Sequence, residues 1–101
     1  MNRLPQSTSI VWIVEDHRGL RETMKEALEA SNCGRVYMFA SCEAALRSLK
    51  SSHTPRPRVI ILDISLPGMS GLQGLREFKG LSPSTEILMF TVSDDRQQVF
   101  D

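Results

Sequence analysis

Two short apolar runs in this chain each end in acid. Ile10-Val11-Trp12-Ile13-Val14 runs into Glu15-Asp16, and Val59-Ile60-Ile61-Leu62 runs into Asp63. Runs this short and this rich in β-branched residues read as strands buried on both faces of a parallel sheet. Charge is costly to bury, and a buried strand gains nothing from a carboxylate at its tip. If the two strands lie side by side and parallel, Glu15, Asp16 and Asp63 converge at one sheet edge. Such a cluster calls for a hard cation, and a carboxylate beside a bound cation is a candidate phosphoryl acceptor.

The rest of the chain alternates helical and extended patterns. Residues 17–31 carry Leu20, Met24, Ala27 and Leu28 at helical spacing, with Gly34 beyond as a stop signal. Residues 35–40 read as the second strand. Ser41 predicts a helix cap, Glu43 falls near the positive end of that helix's dipole, and Ala45, Leu46 and Leu49 form its inner face. Residues 51–58 hold two prolines and read as a loop. Leu66-Pro67-Gly68-Met69 is a turn. Ser70 followed by Gln73 has the form of a capping box, with Leu72, Leu75 and Phe78 facing inward and Gly80 and Pro83 ending the helix. Glu86–Phe90 is a fourth strand leading to Thr91, and Ser93 and Asp94 are placed to open a last helix. This order predicts a doubly wound α/β fold, a parallel sheet with helices on both faces. Residues 1–8, polar with one proline, read as a flexible start, and residues 9–101 as one domain.

The bulk properties narrow the function classes. The chain has 101 residues, 41% apolar and 24% charged, with a formal net charge of zero. That balance gives no reason to expect nucleic acid as a direct partner. No apolar run approaches the roughly 20 residues needed to span a membrane. Cys33 and Cys42 are too few for a disulfide framework and sit in no Cys/His cluster, which predicts reduced thiols, a cytoplasmic protein and no structural zinc.

Ligands of open parallel sheets bind beyond the carboxyl ends of the strands, at the switch point in strand order. Glu15, Asp16, Asp63 and Thr91 all fall there. Clustered carboxylates raise one another's pKa unless a cation compensates. An oxygen-only donor set suits Mg²⁺ best, with Mn²⁺ and Ca²⁺ as alternatives. Asp63 is the candidate nucleophile and Thr91 a hydroxyl donor for a phosphoryl oxygen. Each residue alone has a plainer reading: Glu15 and Asp16 as helix-capping acids, Asp63 as a turn former, Thr91 as a strand end. Their joint position is what favours a site. His17 reads as a first-turn residue without a phosphotransfer role, and Trp12 as core.

The segments Val14-Glu15-Asp16-His17, Leu62-Asp63-Ile64-Ser65-Leu66-Pro67-Gly68-Met69-Ser70-Gly71 and Phe90-Thr91-Val92-Ser93 resemble the receiver domain of bacterial two-component response regulators. The Asp63 loop is most similar to receivers that precede a helix-turn-helix DNA-binding domain. The resemblance implies a flavodoxin-like fold and Asp63 as the acceptor of a phosphoryl group from a sensor histidine kinase. It implies Mg²⁺ bound by Asp16, Asp63 and the Ser65 backbone carbonyl, with Glu15 acting largely through water. Thr91 would hold the phosphoryl group, and Ser93 would tune its lifetime. The implied protein is a phosphorylation-dependent switch rather than a turnover enzyme. It would control a transcriptional output and reach DNA only through an output domain not in this chain.

Three positions depart from the family pattern. Glu15 replaces the commoner Asp, and Val92 stands where a small residue is common. The family's Lys at the end of a fifth strand has no counterpart, since Lys50 and Lys79 fall on helices. The expected strand order is therefore 2-1-3-4 with the fifth strand and last helix missing, and the exposed edge fits either a fragment of a longer regulator or a chain that pairs as a homodimer. Two other functions compete. One is a receiver-like interaction module that is never phosphorylated. The other is an aspartate-nucleophile phosphatase of the haloacid dehalogenase type, which would want an acid where Ser65 stands.

Overall fold

The computed structural model describes residues 9–91. Four strands and three helices alternate: β1 (Ile10–Val14), α1 (Arg18–Ala30), β2 (Arg35–Phe39), α2 (Cys42–Lys50), β3 (Val59–Asp63), α3 (Gly71–Leu81) and β4 (Glu86–Phe90). The strands form one parallel sheet in the order β2-β1-β3-β4. The chain winds from β1 outward to β2, then returns across β1 to β3, so the switch point lies between β1 and β3. Val14 pairs with Leu62 across that junction, which brings the acidic ends of the two strands level.

Alternation along β1 divides the core in two. Trp12 and Val14 join Ile60 and Leu62 beneath α2 and α3, with Cys42, Ala45, Leu46, Leu49 and Phe78. Val11, Ile13 and Val36 face α1, which covers them with Met24 and Leu28. The first face is the better sealed: Trp12 and Phe78 are fully buried, and the Trp12 and Phe39 rings lie 4.6 Å apart. Helix α1 contributes no fully buried residue. A fully buried large apolar side chain is worth roughly 1.5–3 kcal/mol, so most of the fold's hydrophobic stabilisation lies on the α2/α3 side.

Three sequence expectations change in detail. Ala27 is exposed, and only Leu20, Met24 and Leu28 of the predicted α1 face turn inward. The left-handed residue after α1 is Asn32 (φ 58°), whereas Gly34 (φ 131°) serves the close approach of its backbone to Ser9 at the start of β2. Leu72 is 56% exposed, and the inner face of α3 is Gly71, Gly74 and Phe78. A Cβ on Gly74 would lie 2.5 Å from Cys42 Sγ, so the glycine is what lets α3 close against α2. The caps were placed correctly: Ser41 Oγ accepts from the Ala44 amide and Ser70 Oγ from the Gln73 amide. Residues 1–8, with Val92, Ser93, Asp94, Asp95 and the expected last helix, lie outside the described residues. No described helix is long and apolar enough to cross a membrane.

Candidate functional site

Glu15 follows β1 and Asp63 ends β3; they are 2% and 3% exposed, while Asp16 is exposed beside them. One carboxylate oxygen from each lies within 4.8 Å of the others. The three acids share a cleft with His17, Leu20 and Ser65.

Each acid is held differently. Glu15 Oε2 accepts from the His17 amide at 2.9 Å, and Glu15 Oε1 is buried with no hydrogen-bond partner. Asp63 Oδ1 accepts from the Ser65 amide at 2.9 Å. Burial pushes the Glu15 carboxyl from 4.5 up to about 7, with Asp63 and Asp16 adding to the rise and the His17 amide opposing it. Desolvation is thus the first cause of the shift, ahead of the mutual repulsion expected from the sequence.

Thr91 lies at the end of β4, exposed, with Oγ1 3.2 Å from Ser65 Oγ. The structure therefore brings Glu15, Asp16, Asp63, Ser65 and Thr91 to one edge of the sheet. Lys79 is elsewhere: its Nζ donates to the Pro83 and Thr85 carbonyls at the other end of the sheet. Ser65 offers a hydroxyl and no acid, so the position that a haloacid dehalogenase-type phosphatase needs as its general acid is not filled.

Sequence reasoning missed three supports. His17 is the N-cap of α1, its Nδ1 accepting from the Leu20 amide at 3.1 Å, which places the imidazole proton on Nε2. Glu43 Oε2 accepts from the Met69 amide at 3.0 Å and pins the loop that follows Asp63 to α2. A bond from its own amide, and then this one, hold the Glu43 carboxyl below its usual range. Gly68 (φ 70°) fits there because a Cβ would lie 2.9 Å from Glu43 Oε2. Arg21 Nη1 donates to the backbone carbonyls of Glu15 at 2.9 Å and Asp16 at 3.2 Å. The signal for Arg21 was its spacing, five residues past Asp16 on the first turns of α1.

Comparison with known proteins bears on this geometry. The family model of the response regulator receiver domain matches residues 11–101. The chain is 33% identical over 85 residues to the C4-dicarboxylate transport transcriptional regulatory protein DctD of Rhizobium meliloti, covering 84% of this chain and 18% of that protein. It is 32% identical over 85 residues to the transcriptional regulatory protein CreB of Escherichia coli, covering 84% and 35%. The chain thus spans well under half the length of these relatives. Among solved structures, the BeF3-activated receiver domain of the Thermotoga maritima response regulator DrrB superposes with a TM-score of 0.73 at 26% identity, covering 93% of this chain and 74% of that one.

Proposed function

The chain belongs to the response regulator receiver family of two-component systems, and we propose that it works as a phosphorylation switch with Asp63 as the acceptor. The observation that carries this reading is the orphaned Glu15 Oε1, buried beside Asp16 and Asp63 with ligand atoms within 4.8 Å. A buried carboxylate oxygen without a donor is costly, and a hard cation among three carboxylates removes that cost. The donor set fits Mg²⁺: all the ligand atoms are oxygens, and a cleft beside them leaves room for retained waters. Asp16, Asp63 and the Ser65 carbonyl would hold it, with Glu15 behind them. When bound, Mg²⁺ supplies the positive charge that lets a phosphoryl group approach an anionic cluster.

The chain's own residues do the rest. The Ser65 amide holds Asp63 Oδ1 and fixes the carboxylate plane. The second Asp63 oxygen forms the new O–P bond as the donor's bond to phosphorus breaks, and the leaving group departs with that electron pair. In a sensor histidine kinase the leaving atom is an imidazole nitrogen; in a small acyl phosphate it is a carboxylate oxygen. The Thr91 hydroxyl, exposed and bonded to Ser65 Oγ, can exchange that partner for a phosphoryl oxygen. Such an exchange carries the phosphorylation state from β3 to the end of β4. The chemistry is one self-phosphorylation and one hydrolysis per cycle, a switch rather than turnover of a substrate.

DctD and CreB are named as transcriptional regulators. That supports a cytoplasmic protein whose output is transcription, with DNA reached through a separate domain. Incubation with acetyl phosphate and Mg²⁺ followed by intact mass spectrometry tests the central claim. One added phosphoryl group, lost in Asp63→Asn, is expected; no addition overturns it. The rival reading is an interaction module that is never phosphorylated. Mg²⁺ binding without phosphoryl uptake in the same experiment would select it.

A further inference from the structure

We propose that Arg21 is a positioning residue for the cation-binding acids. Its guanidinium fixes the backbone between β1 and α1 so that the Glu15 and Asp16 carboxylates meet Asp63. The inference rests on the functional reading above and adds to it a residue that touches neither ion nor phosphoryl group.

The geometry is specific. One nitrogen, Nη1, donates to the carbonyls of the two residues whose side chains build the acidic pair. Arg21 makes no ion pair among the described residues, and the neighbouring carboxylate of Glu22 is taken by Arg18. The guanidinium therefore acts on the main chain. It has work to do there, because α1 sends no fully buried side chain into the core and apolar packing holds its first turn loosely. Polar ties set the position of this turn: the His17 cap on Leu20, the His17 amide on Glu15, and Arg21 on both acids' carbonyls. The planar guanidinium fixes the directions of the two Nη1–H bonds, whereas an ammonium's three N–H bonds rotate freely. Metal affinity depends on such outer supports because small play in the ligands is enough to lose it.

A rival account makes Arg21 a simple counter-charge to three carboxylates. The two accounts predict opposite signs. Removing a nearby positive charge strengthens binding of a divalent cation, whereas removing a tether weakens it. Arg21→Met keeps the aliphatic stem and removes both charge and donors. Calorimetric titration of the full chain with MgCl₂ should show roughly tenfold weaker binding in Arg21→Met than in the parent. Arg21→Lys, which retains the charge but not the fixed N–H directions, should fall between. Arg21→Gln serves the same test should Arg21→Met not fold. Hydrogen exchange without metal should show faster exchange of the His17 and Leu20 amides in Arg21→Met. Equal or tighter Mg²⁺ binding by the neutral variants overturns the proposal while leaving the phosphorylation reading standing. A parent that binds no Mg²⁺ overturns that reading, and the role given to Arg21 with it.

Discussion

The two ends of the sheet bury polar groups in opposite ways. At the amino-terminal end Ser82 and Thr85 are almost fully buried and close on one another. Thr85 Oγ1 donates to the Pro57 carbonyl at 2.8 Å, so the 2.6 Å contact with Ser82 must be donated by the serine. Lys79 Nζ caps the same corner on the Thr85 carbonyl at 2.7 Å. At the carboxyl-terminal end Glu15 and Asp63 are equally buried, yet Glu15 Oε1 has no partner. Trp12 Nε1 is also buried without a partner, but it is a neutral donor in the apolar core, whereas Glu15 Oε1 is a carboxylate oxygen beside two more acids. An open valence on a carboxylate within a cluster of carboxylates is what sets the carboxyl-terminal end apart.

The largest expected effect follows from that open valence. The folded-state pKa of Glu15 is about 7, against 4.5 for the free group, so the folded state holds its proton longer than the unfolded state. Its contribution is therefore fully present below about pH 4.5 and lost as pH rises to about 7. The loss is at most on the order of 3 kcal/mol. Urea denaturation in the presence of a chelator should show stability falling across that window in the parent and not in Glu15→Gln. Above pH 7 the variant should be the more stable protein. Parallel pH profiles would remove the distinction between the two ends. A proton on Glu15 and a bound Mg²⁺ relieve the same cluster of negative charge, so Mg²⁺ binding should weaken as pH drops below about 7. Stripping the metal with a chelator at pH 8 should lower the parent's melting temperature more than that of Glu15→Gln.

Disturbing the amino-terminal end should have the opposite sign. Thr85→Val keeps the shape and removes the hydroxyl, leaving the Pro57 carbonyl and Ser82 Oγ short of a partner. A cost of about 1–3 kcal/mol is expected, independent of pH between 5 and 8 and unchanged by Mg²⁺. A neutral Thr85→Val in the same denaturation series would mean that the corner is not the satisfied network it resembles.

Much of this arrangement was legible in the sequence for definite reasons. Continuous β-branched runs mark buried strands, and Ser41 and Ser70 mark helix starts, so the sequence alone puts the acids at strand ends. The face of α3 was misread because hydrophobicity selects Leu72, whereas close packing on α2 and β3 selects Gly71 and Gly74. Ala27 fits the periodicity of α1, but α1 turns a narrower stripe to the sheet than the pattern suggested. Arg21 and Glu43 were invisible as supports because their partners are backbone groups, which carry no sequence signature.

The last contrast lies within α3, which runs from one end of the sheet to the other and carries a glycine near each. A Cβ on Gly71 would lie 2.5 Å from the Asp63 carbonyl oxygen and 2.6 Å from Ile64 Cα, both backbone atoms that cannot swing away. Gly71→Ala should therefore push the helix start off the end of β3, costing about 1–3 kcal/mol and weakening Mg²⁺ binding through displacement of Asp63. A Cβ on Gly80 would meet nothing within 4 Å. Gly80→Ala should stabilise the protein by up to about 1 kcal/mol, because alanine restricts the unfolded chain and favours the helix, and it should leave Mg²⁺ binding unchanged. The pair separates the two ends within one helix: the same added methyl is refused where the helix meets the acids and accepted where it meets solvent. If both substitutions moved stability in the same direction, the tight seat of α3 on the Asp63 loop would not be what fixes that carboxylate.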